Sequence, residues 1–253
     1  MTGQRSPDRR RDAMVLGCGR SGTSLVAGLV ASAGYFLGPR LHPPREANPA
    51  GFFEGEDVKE INESLLDPLV PPGAGRTERG SRWLEPLPET ASAGRPSPEV
   101  AASIRALVAQ RPFAFKDPRF CYTLPAWRPF LPVGTAFVCV FREPGRTVTS
   151  ILKEHDEAPW LRNVAMDGAS AEGLWVAMYR RILDDHRHDG DWIFLHYDQV
   201  VGRDGVQRLA DHLNASPDPA IVRPELEHAA DREVGYEATA VYAELCALAG
   251  WQA

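Results

Sequence analysis

The chain has 253 residues, enough for one large α/β domain or two small ones. Apolar residues make up 43% of the sequence and charged residues 25%, proportions that are ordinary for a soluble globular protein. The formal net charge of −6 disfavours bulk attraction to nucleic acid, so we expect no nucleic-acid partner.

Cysteine usage and hydropathy favour a cytoplasmic protein that does not cross a membrane. The four cysteines show no C-x-x-C pair and no metal-ligand spacing, as expected for core thiols in a reducing compartment. The longest mostly apolar run, 25–38, is too short to span a bilayer. No adequate apolar region and cleavage site follow Arg9-Arg10-Arg11. Residues 1–12 are therefore predicted to be a disordered N-terminal extension and residues 13–253 a single domain.

From the N-terminus, strand and helix patterns alternate. The predicted order is strand 13–17, helix 23–33, strand 35–37, helix 56–66, helix 99–109, strand 113–116, strand 135–141, helix 145–154, helix 170–187, strand 192–196 and helix 200–213. Residues 68–98 are rich in Pro, Gly, Ser and Thr and predict a long loop, which in a compact domain is usually functional or mobile. The alternation predicts one α/β domain whose parallel sheet is covered by helices on both faces, with ligands at the carboxyl ends of the strands.

A glycine-rich turn joins the first predicted strand to the first predicted helix. Backbone N–H groups in such a turn converge on one point, and the helix N-terminus adds partial positive charge there. The spacing Gly17-x-x-x-x-Gly22 resembles a Walker A loop, but Thr23 stands where a nucleotide triphosphatase needs Lys. The basic residue is Arg20, inside the turn. The sequence therefore predicts a phosphate site that is not built for the β- and γ-phosphates of ATP.

A second candidate anion site follows the most apolar predicted strand, 135–141. Arg142 leaves that strand at its carboxyl end, and Ser150 lies two turns into the next helix. Arginine can bind a phosphate through two N–H groups, and the serine hydroxyl adds a further hydrogen bond. The alternative is a surface ion pair at Arg142 and a solvent-facing Ser150.

Together these residues resemble the donor site of sulfotransferases that use 3′-phosphoadenosine 5′-phosphosulfate (PAPS). The residues similar to that family's 5′-phosphosulfate loop, named the glycine loop below, are Gly17, Cys18, Gly19, Arg20, Ser21, Gly22, Thr23 and Ser24. Arg142 and Ser150 match the family's 3′-phosphate site in type and spacing. Residues 195–213 are similar to its strand-Tyr-acid-helix segment, and residues 48–54 resemble a substrate-side segment of bacterial and carbohydrate-type members.

The resemblance runs from about residue 14 to residue 213 and implies a fold, a donor and an acceptor class. The implied fold is the P-loop-like sulfotransferase domain. The implied donor is PAPS, which becomes adenosine 3′,5′-bisphosphate, with no metal required. The implied acceptor is a hydroxyl of a small or glycosylated metabolite, as in bacterial secondary metabolism. The stretch Arg232–Tyr236 could add a late basic contact to the 3′-phosphate, as C-terminal segments do in that family.

Two positions depart from the cytosolic small-molecule members of the family. Those members carry Lys where this chain has Arg20, and they place a catalytic His soon after a Lys, whereas residues 115–120 contain none. Arg20 can stabilise charge on the bridging oxygen of the donor but cannot donate a proton at neutral pH. The catalytic base must therefore lie elsewhere.

Glu54 is the candidate base, because a carboxylate serves as base in the carbohydrate-type members. It follows the apolar pair Phe52-Phe53, so partial burial could raise its pKa toward a useful value. The alternative is a first-turn acid that favours the helix beginning near Glu56. His42, on the same loop, is the reserve base.

Lys116 ends a predicted strand on the ligand side, and the resemblance implies that it contacts the sulfate or the acceptor. The alternative is an internal charge network of Lys116, Asp117 and Arg119. A nucleophilic role for Cys18, near a helix N-terminus, is a weaker reading than a small side chain that fits the turn. The residues expected on the acceptor side are His42, Phe53, Trp83 and Asp117.

The sequence thus predicts sulfuryl transfer from PAPS to a hydroxyl, with Glu54 taking the proton and Arg20 and Lys116 stabilising charge. One rival is a phosphotransferase that uses ATP and magnesium, which would need Lys at position 23. The other rival is a non-catalytic nucleotide-binding module, which needs the phosphate sites but no base.

Overall fold

The computed structural model describes residues 10–43, 51–70, 82–84, 87, 91–161, 164–223 and 230–252. In these residues one sheet contains four strands, β1 Ala13–Leu16, β2 Ala114–Lys116, β3 Ala136–Phe141 and β4 Asp191–His196. The strands are all parallel, in the order β2-β1-β3-β4. Every residue of β1, β2 and β3 is buried, as expected of parallel strands that are covered on both faces.

Helices connect and cover these strands. They are α1 Thr23–Ser32, α2 Glu56–Leu66, α3 Pro98–Val108, α4 Phe120–Trp127, α5 Pro144–Glu157, α6 Gly168–Arg180, α7 Tyr197–Val201, α8 Asp204–Leu213 and α9 Tyr236–Ala249. A π-helical turn, Arg181–His186, extends α6. No helix among the described residues has the length and apolar character needed to cross a membrane.

The two faces of the sheet bury two separate hydrophobic cores. Successive side chains of a strand point to opposite faces, so Met14 and Leu16 enter the larger core while Ala13 and Val15 enter the smaller one. Helices α2 to α6 and α9 supply the larger core, and α1, α7 and α8 supply the smaller one. The predicted parallel sheet with helices on both faces is confirmed.

The strand order places a crevice above β1 and β3. The chain leaves β1 toward β2 on one side of the sheet, crosses back to β3, and continues to β4 on the other side. The loops that follow β1 and β3 therefore diverge at the carboxyl ends of two adjacent strands. Ligands of open α/β sheets bind at such a switch point.

Some predicted elements differ from the structure. Residues 35–37 form only an isolated bridge, Phe36 to Phe113, and the predicted helix 200–213 is divided near Arg203, whose φ is 72°. Helices α4 and α9 were not predicted. Pro125 lies inside α4 and cannot donate to the carbonyl of Cys121, but His186 Nε2 donates to that oxygen at 2.9 Å instead. A side chain that is distant in sequence thus compensates for the helix-breaking residue.

The C-terminal end of the predicted extension, residues 10–12, belongs to the domain. Residues 1–9 lie outside the described residues, but Arg11 N–H donates to the Leu213 carbonyl at 3.0 Å. The Asp12 carboxylate, 2% exposed, accepts from Phe113 N–H at 3.2 Å and from Arg111 Nε at 2.6 Å. The prediction of disorder therefore does not hold for residues 10–12, because a buried acid needs these partners.

His196, at the end of β4, attaches the C-terminal helix to the sheet. Its ring stacks on Trp251 at 4.7 Å, and its Nε2 lies 3.1 Å from the Tyr242 hydroxyl on α9. Its Nδ1 accepts from Asp198 N–H at 3.1 Å, so the neutral ring is the form that is bound. Burial, with the charges of Arg146 and Arg142, lowers the pKa of His196 to about 4, although Asp198 opposes the shift.

We expect the free energy of unfolding to fall as the pH is lowered from about 6.5 to about 4. Over that range the unfolded chain binds a proton at His196 that the folded chain does not, and the loss should be about 3 kcal/mol. Burial also lowers the pKa values of His186 and His212, which act in the same direction. Urea unfolding between pH 4 and pH 7.5 measures the effect. His196→Gln should have a flatter pH dependence than the wild type, and an equal slope would contradict the assignment.

Candidate functional site

The glycine loop follows β1 and ends at the N-terminus of α1. Gly17 and Gly22 have φ of 143° and 90°. A Cβ on Gly17 would overlap the Val140 carbonyl oxygen, and a Cβ on Gly22 would overlap the Tyr197 ring. Glycine is therefore required at both positions. Arg20 also has positive φ, 69°. The loop has a tight backbone turn followed by a helix N-terminus, the geometry from which an anion cradle is built.

Side chains of the glycine loop turn toward the protein interior. Ser21 is fully buried, and its hydroxyl lies 3.4 Å from that of Thr147 on α5. The Cys18 thiol is also fully buried, and burial raises its pKa well above the usual value. A thiol held in the protonated form is a poor nucleophile, which favours the reading of Cys18 as a small residue that fits the turn. Backbone amides and Arg20 are the groups left to meet an anion.

The second candidate anion site adjoins the glycine loop. Arg20 Nε donates to the Ser150 hydroxyl at 3.0 Å and lies 3.5 Å from Glu154 Oε2, one helical turn further along α5. The Arg142 guanidinium lies 4.7 Å from the centre of the Tyr197 ring, which itself contacts Gly22. Arg142 is only 7% exposed. Arg142 is therefore a buried residue and the Ser150 hydroxyl is bonded to Arg20, which argues against the alternatives of an exposed pair at Arg142 and a serine that only faces solvent.

Positive charge is concentrated around Arg142. Burial lowers the pKa of Arg142, and the nearby charges of Arg146 and Arg20 lower it further. The backbone of Arg232 packs closely on the start of α5. A Cβ on Gly145 would lie only 2.0 Å from the Arg232 carbonyl oxygen. The C-terminal stretch thus passes beside the second anion site. The Arg232 guanidinium itself lies against Gly168 at the start of α6, so Arg20, Arg142 and Arg146 are the cations that favour an anionic ligand here.

Glu54 and Lys116 form a buried ion pair beside the glycine loop. Lys116 Nζ contacts the Glu54 carboxylate and donates to the Ser24 hydroxyl at 3.3 Å. Burial opposes ionisation of Glu54, but the charges of Lys116 and Arg119 outweigh it and lower the pKa of the carboxyl. The expectation that partial burial would raise this pKa is therefore wrong. Glu54 is ionised at neutral pH.

Asp117 belongs to a buried charge network that adjoins the pair of Glu54 and Lys116. Its carboxylate accepts from Arg119 N–H at 2.8 Å and from Arg119 Nη1 at 2.9 Å, and Arg119 also pairs with Glu63 on α2. Asp117 is 1% exposed. The contacts support the charge-network alternative, with Asp117 paired directly to Arg119 and Lys116 linked to them through Glu54, on which both cations act. These contacts favour a role for Asp117 in shaping the loop after β2 over a role in acceptor binding.

Two of the residues expected on the acceptor side have structural partners. His42 pairs with Glu56 and lies edge-on to Phe52, with ring centres 5.0 Å apart. Phe53, with φ of 52°, packs against α1, where a Cβ on Gly28 would lie 3.0 Å from its ring. The pair with Glu56 engages the Nδ1 atom of His42 and orients the ring, as a carboxylate does for a histidine base, so His42 stays the reserve base.

Trp83 contacts the glycine loop directly. A Cβ on Gly19 would lie 2.5 Å from the Trp83 ring, so the ring rests on the Gly19 backbone. The preceding residue, Arg82, anchors this segment because its Nε lies 3.2 Å from Glu63 Oε2 and its Nη1 donates to the Glu63 carbonyl at 3.0 Å. Trp83 is thus fixed beside the cradle, where an acceptor pocket would open.

Sequence reasoning missed Glu154 and Tyr179. Glu154 lies four residues after Ser150, so helical spacing alone could have placed both on one face of α5. Tyr179 accepts a hydrogen bond from Cys18 N–H, but it lies in the middle of a helix and no local pattern indicates that contact. Within the described part of the chain, no group of three or more His, Cys, Asp or Glu residues could hold a metal ion.

Comparisons with known proteins identify the fold. No protein-family model matches the sequence, and no curated protein matches it either. The structure is similar to the sulfotransferase domain of the Synechococcus PCC 7002 olefin synthase, with 16% identity, a TM-score of 0.51, and coverage of 97% of this chain and 98% of that domain. It is also similar to the sulfotransferase domain of the curacin biosynthetic pathway, with 16% identity, a TM-score of 0.50, and coverage of 90% of this chain and 82% of that domain. The matched length and the shared arrangement of sheet and helices lead to one conclusion: this chain has the sulfotransferase fold.

Proposed function

We propose that the chain is a sulfotransferase that moves a sulfuryl group from PAPS to a hydroxyl of a small or glycosylated metabolite. The contact between Arg20 and Ser150 carries the proposal, because it joins the glycine loop and the second anion site into one crevice. A nucleotide with a 5′-phosphosulfate and a 3′-phosphate has two anionic ends that fit two such sites.

In the proposed reaction the acceptor oxygen bonds to sulfur while the bond from sulfur to the 5′-phosphate oxygen breaks, which releases adenosine 3′,5′-bisphosphate. The loop amides and Arg20 neutralise charge on the transferring group. Glu54 accepts the proton of the acceptor hydroxyl. Arg142 and Ser150 hold the 3′-phosphate, and the Trp83 ring forms a wall beside the acceptor.

The ion pair with Lys116 has a consequence for the base. It keeps Glu54 ionised at neutral pH, but a lowered pKa also weakens the carboxylate as a proton acceptor. An acceptor hydroxyl that enters beside Glu54 would take up part of the carboxylate's hydrogen bonding and loosen the pair. Lys116 would then be free to contact the transferring group, as the resemblance implies.

The contact between Lys116 and Ser24 argues against the phosphotransferase rival. In a nucleotide triphosphatase the hydroxyl at this position of the loop binds magnesium. Here the Ser24 hydroxyl accepts from the Lys116 ammonium at 3.3 Å, so a cationic side chain already occupies that contact. The ion pair of Glu54 and Lys116 beside the loop also favours an enzyme over a binding module, which has no use for a base.

Thermal shift measurements test the donor. Adenosine 3′,5′-bisphosphate should stabilise the protein selectively, by about 2.7 kcal/mol at a concentration 100 times its Kd. ATP with magnesium should give a much smaller shift. A larger shift with ATP and magnesium, together with ATP turnover, would revive the phosphotransferase rival. Detection of a sulfated product from a panel of hydroxyl compounds then separates the enzyme from a binding module.

A further inference from the structure

One buried hydroxyl joins the glycine loop to the neighbouring strand. Tyr179 lies on α6 and is fully buried. Its hydroxyl accepts from Cys18 N–H at 3.2 Å and donates to the Val140 carbonyl at 2.8 Å. Helix α6 thus reaches both the start of the glycine loop and the end of β3 through a single oxygen atom.

This contact lies where the pairing of β1 and β3 ends. The paired residues run from Ala13 with Ala136 to Leu16 with Cys139. Just beyond these pairs, the Val140 carbonyl and the Cys18 N–H group both bond to the Tyr179 hydroxyl and not to each other. The hydroxyl therefore satisfies the two backbone groups at which the loop separates from the sheet.

The surroundings leave this part of the loop little freedom. A Cβ on Gly17 would overlap the Val140 carbonyl oxygen and would lie 3.3 Å from the Tyr179 hydroxyl oxygen. Burial raises the pKa of Tyr179 well above the usual value, so the hydroxyl keeps its proton and its role as a donor. Its hydrogen bonds to these two backbone groups and its complete burial keep Tyr179 from contacting a ligand directly.

We propose that Tyr179 is a positioning residue for the donor loop. By taking up the Cys18 N–H and holding it against β3, it aims the amides from Gly19 onward at the anion. The amide of Cys18 is then not part of the cradle. This inference rests on the proposed function, because it assigns the glycine loop to a phosphate-bearing donor.

The test compares two substitutions of buried tyrosines. Tyr122, on α4, is 2% exposed, and its hydroxyl has no hydrogen-bond partner among the residues that the structure describes. Tyr179→Phe should raise the Kd for adenosine 3′,5′-bisphosphate about tenfold, which corresponds to about 1.4 kcal/mol. Tyr122→Phe should leave that Kd unchanged. In the transfer assay, Tyr179→Phe should raise the KM for the donor more than it lowers kcat.

Hydrogen exchange of the wild-type protein provides a second measurement that does not depend on the fold of a variant. The Cys18 amide should exchange slowly without ligand, whereas the amides of Gly19, Arg20 and Gly22 should slow only when the bisphosphate is added. A Cys18 amide that is protected only by the bisphosphate would overturn the proposal. Equal Kd values for Tyr179→Phe and Tyr122→Phe would do the same. Absence of bisphosphate binding to the wild type would instead overturn the proposed function, and this role with it.

Discussion

Glu54→Gln should lower kcat for sulfuryl transfer by about 10²–10⁴-fold, the range for loss of a general base. The amide cannot accept the proton of the acceptor hydroxyl, but it has the size of the carboxylate and can still accept a hydrogen bond from Lys116. Glu54 has no contact with Arg142 or Ser150 among the described interactions, so the Kd for adenosine 3′,5′-bisphosphate should change little. Initial rates and equilibrium binding measure the two effects separately.

Two further variants give this experiment its controls. Glu60 lies on α2 and pairs with Arg40 at the surface, so Glu60→Gln makes the same chemical change away from the crevice and should be fully active. His42→Gln tests the reserve base. If His42→Gln abolished transfer while Glu54→Gln remained active, the proton would go to the imidazole and the assignment of Glu54 would be wrong.

Arg20→Met should lower kcat by about 10²–10³-fold, the usual cost of removing one group that stabilises charge in the transition state. The bisphosphate should bind only several-fold more weakly, because the loop amides and the Arg142 site remain. Arg20 contacts Ser150 and Glu154, so its side chain extends from the glycine loop to the second candidate anion site, a position that would let it follow charge as it moves to the bridging oxygen.

Arg40→Met is the matched control for Arg20. Arg40 pairs with Asp57 and Glu60 on the exposed side of α2, and its loss should affect neither kcat nor donor binding. A variant at Arg20 that binds the bisphosphate poorly but keeps the wild-type kcat would make this residue a binding group only. Wild-type values of both constants would remove it from the site altogether.

The parts of the site that could be predicted are those that short segments encode. Glycine at positions 17 and 22 permits positive φ, and the turn is followed directly by a helix, so the anion cradle is contained in eight consecutive residues. Arg142 and Ser150 are also local, because a strand end and two helical turns fix their separation. Parallel strands then bring both segments to one edge of the sheet.

The electrostatic state of the candidate base could not be predicted in this way. Glu54 follows two apolar residues, a pattern that favours burial and a raised pKa, but Lys116 lies 62 residues further along the chain and reverses the shift. Asp117 was expected to face the ligand beside Lys116, yet it pairs with the buried Arg119, two residues away, and Glu63 on α2 pairs with the same arginine. For both acids, charges from a distant segment complete a balance that the local sequence leaves open.

The sequence by itself determined the layered α/β architecture, the glycine loop and the positions of Arg142 and Ser150 after β3, because hydrophobic periodicity and turn geometry act over a few residues. Only the tertiary structure decided which charges neutralise one another, that His186 supports the Pro125-containing helix, and that Tyr179 holds the loop against β3. The physical reason is that burial and ion pairing depend on which distant segments meet. The contacts between distant segments are set by the packing of the whole domain and not by any local pattern.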